Sequence, residues 1–495
     1  LVLLTTVAAV VSAATGGTLH GQSGQVENLS TAEAVAAVGT KVRLGVTERA
    51  EAFNELRQSV AVLPGGGFAA VWTEGDGSFS GAIRLQYVLP SGEVGFPGGG
   101  LTLATSDDYN SEPVLVPHPT SGVFVAFRRV DRQGAGAVVV QWIDGEGRPQ
   151  WPGAGVSAFG TPGEDFFWEQ HLLADPSGDT FVCASGSRRG VVCQRLSSAG
   201  TPLWGPQGIA AGGQPGFRVV PKAASDGAGG VLVVWKNIRN PFDGHVDPEL
   251  FEGQRFSGDG RLLWGETGKT IHVGNLSEPG FYSYRDLYVV GDGVGGAVIA
   301  FWEWNGRGRP NLDVLAQRVT GDGDLVWGEG VPVSAGRLAE VLDSLIAAPD
   351  GGAIVTVRYD VHDPLARSVI RSHRLLPDGT RAWGAAGVPL SDPRARASDY
   401  ASYGQIDGNR VRFAWTHQQV ANTYRFDIYV AEYTLAGRRL VRSTGRPLYT
   451  EPDAQWLRGF AYDHERHVGL AIFDEFRPTD PDRFDTLGAI YPGLP

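Results

Sequence analysis

The sequence predicts an all-β chain folded as a ring of four-stranded antiparallel sheets, and three observations carry that expectation. The first is a recurring turn: a glycine, three residues, an aromatic and usually a second glycine. It reads Gly260-Arg-Leu-Leu-Trp264-Gly265, Gly323-Asp-Leu-Val-Trp327-Gly328, Gly379-Thr-Arg-Ala-Trp383-Gly384 and Gly200-Thr-Pro-Leu-Trp204-Gly205, with weaker copies at Gly147–Trp151 and Gly92–Phe96. The aromatic positions 96, 151, 204, 264, 327 and 383 lie 53 to 63 residues apart, a period that fits one blade of a β-propeller. The second is composition. Glycine supplies 70 of 495 residues, about twice its usual ~7%, with no collagen period. Charged residues are only 19% and tryptophans number 13, so the chain is rich in turns and core rather than disordered. The third is a split unit. The last repeat stops at Tyr491 without its Gly-x-x-x-Trp turn, while Lys41-Val-Arg-Leu-Gly-Val-Thr47 matches fourth-strand text such as Gly330-Val-Pro-Val-Ser334.

Each unit repeats one plan. A first strand ends in a tight turn, as in Ser225-Asp-Gly-Ala-Gly-Gly230, Gly291-Asp-Gly-Val-Gly-Gly296, Pro349-Asp-Gly-Gly352 and Pro64-Gly-Gly-Gly67. These glycines supply the positive φ that hairpin turns need. The second strand is continuously apolar and ends in an aromatic, as in 68–72, 123–127, 231–235, 298–302 and 411–415. Such runs read as strands buried on both faces, as a blade between two others must be. The third strand carries Gln86, Gln141, Gln194, Gln254 or Gln317, with His373 and Glu432 as stand-ins. The simplest reading is that each Gln bonds the neighbouring blade's backbone. The Gly-x-x-x-Trp turn then leads into the fourth strand.

Second strands at 68–72, 123–127, 180–184, 231–235, 298–302, 354–358, 411–415 and 467–473 count eight units. The expectation is a propeller over 41–492, with seven continuous blades in 55–450 and a composite eighth built from 456–492 and a closing strand at 41–48. Closure of this kind removes exposed sheet edges. The fallback is a seven-bladed ring with a C-terminal hairpin.

Residues Leu1 to Val11 are apolar and lead into Ser12-Ala13-Ala14, which reads as a secretory signal over 1–14; the alternative is a buried N-terminal strand. The stretch is too short to span a bilayer. Met is absent throughout, so the natural start is expected upstream of Leu1. Residues 15–40 read as a linker or connecting arm. The net charge is −12, and the four lysines (41, 222, 236, 269) are scattered. Such a surface repels phosphate backbones and excludes nucleic acid as the expected partner. Cys183 and Cys193 flank a hairpin turn and face each other across it. An exported chain would join them as a disulfide; the alternative is two buried thiols. The expected location is secreted, cell-surface or periplasmic, with no membrane insertion.

The Asp-Gly-Ala-Gly-Gly turn, the strand ending in Trp, the Ala316-Gln317-Arg318 text and the Gly-x-x-x-Trp-Gly turn resemble propeller repeats of exported bacterial proteins. The last element also resembles the tryptophan-docking repeat of quinoprotein-type (PQQ-like) eight-bladed propellers. That resemblance implies the fold over about 55–492. Its enzymatic half does not carry over: the vicinal Cys-Cys of the dehydrogenases is missing, since Cys183 and Cys193 are nine intervening residues apart, and there is no Cys-x-x-Cys-His. Ser257-Gly-Asp259-Gly260-Arg-Leu-Leu-Trp264 is similar to a sialidase Asp box, but its Gly comes one place early.

Second-to-third-strand loops and blade connections differ from unit to unit and fall on one rim, the expected functional face. Candidate ligand-binding residues there are Trp304, Arg307 and Arg309, an aromatic with guanidinium groups suited to a sugar or carboxylate; Tyr282, Tyr284 and Arg285; His362; and His417. Asp243, His245 and Asp247 alternate as cation ligands would, and Asp480 and Asp482 lie in an acidic loop suited to Ca²⁺; the alternative for both is a solvated loop. No catalytic residue and no obligatory cofactor is identified. The leading reading is a non-catalytic propeller that binds a protein or glycan, or scaffolds a surface assembly as a homo-oligomer or filament. The rival is a carbohydrate-active hydrolase or lyase, recognisable by a deep axial pocket in which Arg plus Tyr, or two or more carboxylates, converge from different blades.

Overall fold

A computed structural model of the chain describes residues 39–44, 58–75, 81–105, 107–132, 134–160, 167–213, 217–238, 248–276, 287–304, 312–334, 340–359, 368–391, 398–418, 425–440, 445–477 and 480–492. Their strands form eight four-stranded antiparallel sheets, and no helix occurs among the described residues. None is therefore long and apolar enough to cross a membrane there. Blades 1 to 7 span 59–104, 109–157, 167–210, 217–276, 287–334, 340–389 and 398–449. In each, strands run in chain order from the innermost to the outermost.

Blade 8 takes three strands from the C-terminal end, Ala454–Asp463, Val468–Arg477 and Asp480–Pro492. Its fourth is Thr40–Arg43, paired Thr40 to Ile490 through Arg43 to Leu487. First strands touch their neighbours all the way round, and that of blade 8 touches that of blade 1. The ring closes at eight, which removes the seven-bladed alternative.

The second strands are buried as their sequences require: every residue from Phe68 to Trp72, Val123 to Phe127 and Val231 to Trp235 is almost inaccessible. Their side chains alternate between the two neighbouring blades. Val298 and Ala300 pack toward blade 6, while Ile299 and Phe301 pack toward blade 4.

The Gly-x-x-x-Trp turn is the joint between blades. The first glycine of each turn has positive φ, for example +87° at Gly260 and +85° at Gly323. A Cβ on Gly147, Gly200, Gly260, Gly323, Gly379 or Gly437 would stand 2.4–3.2 Å from the aromatic ring of the preceding blade. Each glycine is thus both a turn residue and the floor on which the preceding ring lies. The indole N–H completes the joint. Trp151, Trp204, Trp264, Trp327 and Trp383 donate to Ser198 O, Gly258 O, Gly321 O, Pro377 O and Leu435 O of the next blade at 2.9–3.0 Å. Phe96 has no N–H, and Tyr87 of the same blade supplies the missing bond through its hydroxyl to Asp144 O at 2.9 Å.

The residue after each Gln joins the same contact. Arg195, Arg255, Arg318 and Arg374 donate to the carbonyls that Trp204, Trp264, Trp327 and Trp383 use. Each also pairs with an acid of its own first turn, Asp179, Asp226, Asp292 or Asp350, at 2.6–2.9 Å. The Gln has a different main role from the one expected. Gln254 accepts from Trp264 N at 3.0 Å and donates to Gly265 O at 2.7 Å, which staples its own blade's turn. Its bond to the preceding blade, at Ala211 O, is the longer one at 3.3 Å. Gln194 and Gln86 repeat the pattern, with their longer bonds to Ala158 O and Leu44 O.

Cys183 and Cys193 face each other on the second and third strands of blade 3 and are disulfide-bonded, with Cα atoms 4.1 Å apart. The thiol alternative is thereby removed.

Removing the ring at one joint should cost about 3–5 kcal/mol in chemical denaturation for Trp264→Ala. Trp264→Phe, which removes the indole N–H and part of the ring but keeps an aromatic face on the glycine, should cost less, about 1–3 kcal/mol. His373 gives a pH test. It replaces the Gln in blade 6, and burial first, then Arg381 and Arg371, push its pKa from its ordinary value of 6.5 down to about 4. A depressed imidazole contributes stability that is complete above pH 6.5 and lost as pH falls toward 4. Stability should drop by up to about 3 kcal/mol across that window, and His373→Gln should flatten the curve there.

Candidate functional site

The first-to-second and third-to-fourth turns lie at one rim, and the second-to-third loops and blade connections at the other. Tyr282, Tyr284, Arg285, Arg307, Arg309, His362, Asp243, His245 and Asp247 lie outside the described residues, as do the side chains of Trp304, Asp480 and Asp482. Among the described residues no group of three His, Cys, Asp or Glu is placed to hold a metal ion. His417 is the candidate that the structure places in detail.

It stands near the rim end of the second strand of blade 7, Arg410–Gln418, opposite Asp399 on the first strand, Ser398–Asp407. His417 Nδ1 lies 2.7 Å from Asp399 Oδ1, and Trp415 Nε1 donates to the same oxygen at 3.0 Å. Blade 6 holds the acid from the other side. Asp399 N donates to Ser368 Oγ at 3.0 Å, and that hydroxyl donates to Asp399 O at 2.7 Å. Asp399 is buried, whereas the His417 side chain keeps 15% of its surface exposed. With Nδ1–H donated to the carboxylate, Nε2 carries the lone pair and can take up a proton. The Tyr429 ring lies 4.4 Å from the imidazole, centroid to centroid. Burial first, then the charges of Asp427 and Asp399, push its hydroxyl up to about 12, so it stays a neutral phenol at neutral pH.

The opposite face of blade 7 carries rings. A bulge between Tyr400 and Ser402 interrupts the first strand and re-aims the residues on either side. Tyr400, Phe426 and Trp456 form a half-buried triad with centroid separations of 5.3, 5.4 and 6.1 Å, Trp456 coming from blade 8. Arg358 of blade 6 lies over Tyr400, its guanidinium carbon 5.6 Å from the ring centroid. Arg358 also pairs with Asp343 at 3.7 Å. An Arg and a Tyr from different blades therefore meet at the variable rim, on the face of blade 7 opposite the His–Asp pair.

Such bulges recur on the first strands of blades 2, 3, 4, 6, 7 and 8. They carry inter-blade bonds near the axis. Glu112 and Glu169 sit at bulges with φ of 56° and 55°. The Glu112 carboxylate accepts Glu169 N at 3.1 Å, and the Glu169 carboxylate accepts Val220 N. Asp343, at the bulge of blade 6, accepts the Ser402 hydroxyl at 3.4 Å. The bulges explain why sequence reasoning missed Asp399, Tyr400, Tyr429, Trp456 and Arg358. A bulge breaks the alternation from which facing residues are counted. Trp415 carried a signal, but one shared with every strand that ends in a core aromatic.

Blade 4 offers a comparison. Trp235 Nε1 donates to Glu252 at 3.0 Å, as Trp415 does to Asp399, but the second donor there is Asn237 at 2.9 Å, and all three residues are fully buried. Between blades 4 and 5, His272 Nε2 meets Glu303 at 2.9 Å, with both side chains almost covered. Blade 7 is where a Trp–carboxylate unit carries an imidazole with solvent access.

No family model and no curated protein matches the chain. Among solved structures it is similar to an ulvan lyase, a polysaccharide lyase, at 9% identity over 93% of this chain and 94% of the other, with a TM-score of 0.45. It is similar to a puromycin hydrolase at 16% identity over 89% of this chain and 62% of that one, with a TM-score of 0.43. It is also similar to the α-L-arabinanase of Penicillium chrysogenum, solved with arabinobiose, at 14% identity over 65% and 93% with a TM-score of 0.37. At these identities the likeness is one of fold. The quinoprotein-type resemblance extends to the eight-bladed ring, and the structures just named are of other kinds.

Proposed function

We propose that this is an exported propeller that binds a glycan on its variable rim at blades 6 to 8 and cleaves it there. The observation that carries the reading is the His417–Asp399 pair, fixed by Trp415 and Ser368, with a ring platform on the other face of the same blade. The pair meets the requirement for a proton-transfer group: an imidazole oriented by a buried carboxylate and reachable from solvent. Tyr400, Phe426 and Trp456 offer apolar faces on which a sugar ring can lie, with Arg358 at their edge. The Cys183–Cys193 disulfide supports an oxidising compartment. This reading takes up the enzymatic alternative of the sequence analysis in preference to pure scaffolding.

The purified chain should be incubated with a panel of plant, algal and bacterial polysaccharides, and new reducing ends measured. Ultraviolet absorbance of unsaturated products then tells elimination from hydrolysis. His417→Gln should lower turnover about 100-fold or more while leaving binding intact. Tyr400→Ala and Trp456→Ala should each weaken binding about tenfold. Binding without cleavage of any polymer would favour the non-catalytic reading, and the absence of both would overturn the proposal.

A further inference from the structure

The repeated arginines of this fold are committed to the joints between blades. Arg195, Arg255, Arg318 and Arg374 each hold a carboxylate at 2.9 Å or less and a carbonyl of the next blade. Arg358 differs in place and in the length of its ion pair. It lies at the rim end of the second strand of blade 6, Ala353–Tyr359, away from the turns that the other four clamp. Its ion pair with Asp343, at 3.7 Å, is longer than a charge-assisted hydrogen bond of about 2.7–2.9 Å. Its Nε is buried and has no hydrogen-bond partner. The side chain keeps 12% of its surface exposed, and the guanidinium sits over the ring of Tyr400.

A guanidinium carries five donors in a planar fork. Here the fork borders a platform of Tyr400, Phe426 and Trp456. A ligand lying on those rings would cover the remaining exposed surface of Arg358. If it brought no acceptor, it would strip water from the part of the guanidinium that still reaches solvent, and binding would suffer. An oxyanion in the plane of the sugar meets the fork in its favoured geometry. The net charge of −12 works in the other direction and repels polyanions at long range. Discrimination must then come from a local cation rather than from the overall field.

We propose, resting on the glycan reading above, that Arg358 makes this a site for glycans bearing an anionic substituent, either a uronate carboxylate or a sulfate ester. The guanidinium engages the oxyanion while the sugar ring lies on Tyr400 and Trp456.

The test is binding by the full chain, measured by titration calorimetry at low and at physiological salt. The probes are polygalacturonate and its carboxyl-reduced form, and carrageenan and its desulfated form. At least one anionic polymer should bind about 10- to 100-fold tighter than its neutral counterpart. Arg358→Gln should abolish that difference, and Arg358→Lys should retain only part of it. Which pair shows the preference identifies carboxylate or sulfate as the group recognised. The comparison on the unaltered chain needs no variant, so it stands even if Arg358→Gln folds poorly. Equal binding of a neutral partner, or a preference that survives in folded Arg358→Gln, would overturn this inference and leave the glycan reading intact. Failure of all four polymers to bind, with binding to no glycan in the wider panel, would overturn both.

Discussion

A tryptophan lying on a glycine joins one blade to the next, and most of this architecture follows from that contact. The glycine is required twice over, by its positive φ and by the ring that occupies the space of a Cβ. The indole N–H reaches a carbonyl of the next blade, and an arginine two strands' pairing away in the same blade reaches the same carbonyl. The joint is therefore directional: each blade supplies a ring to its successor and a glycine to its predecessor. Its variants show what is essential. At blade 1 the ring is kept in Phe96 and the hydrogen bond is transferred to Tyr87. At the end of the ring blade 8 contributes no tryptophan turn, and the space above Gly92 is met instead by Val42 and Ile490. Those two residues belong to the strand pair Thr40–Arg43 and Asp480–Pro492. The two chain ends thus combine to make the last joint in the same place as the six ring-on-glycine joints, with aliphatic side chains instead of an aromatic ring.

This arrangement divides the two rims. The rim of short turns is spent on architecture. Asp226 and Asp292 each cap their own turn through backbone N–H groups and hold an arginine as well. Little there is left for a ligand. The opposite rim lies beyond the last repeated contact, and its side chains differ from blade to blade. The bulges on the first strands mark the boundary. On the turn side of each bulge the register is regular; at the bulge or on its rim side stand Glu112, Glu169, Asp343 and Asp399. A bulge lets one strand serve a uniform core and a variable rim with different faces forward.

The same boundary separates what the sequence made legible from what it did not. Blade number, strand order and closure by 41–48 text could be read because the joint recurs: six aromatic turns and seven Gln-type positions each register the same contact. The disulfide was readable because Cys183 and Cys193 are equidistant from one hairpin turn. The Arg–Asp clamp was present in the text, in Gln-Arg and Asp-Gly-x-Gly-Gly, but its two halves lie on different strands, and their pairing appears only once the strands are adjacent. The Gln was given only one of its two partners, the neighbouring blade, for a related reason. Both its own blade's turn and the neighbouring backbone are within reach, and distance alone distinguishes them. Of the site, only His417 was singled out. Asp399 and Tyr400 precede a bulge, and Arg358 and Trp456 come from other blades, so no spacing rule links them.

The contrast between blades 4 and 7 shows how one repeated unit can be turned from packing to chemistry. In both, the tryptophan ending the second strand donates its N–H to a carboxylate. A carboxylate buried beside an indole needs further donors, because an unsatisfied charge in that position is costly. Blade 4 meets the need with Asn237, a neutral amide that cannot exchange a proton at ordinary pH, and covers the group completely. Blade 7 meets it with His417, which satisfies the same acid equally well and carries a second nitrogen with a lone pair. The carboxylate comes from the third strand in blade 4 and from the first in blade 7, where Asp399 is anchored by both Trp415 and Ser368. An imidazole held this way is positioned before any ligand arrives, which is the condition for efficient proton transfer. The step from a core contact to a reactive group thus falls two residues beyond the strand-ending tryptophan, where blade 4 has an inert donor, Asn237, and blade 7 a titratable one, His417.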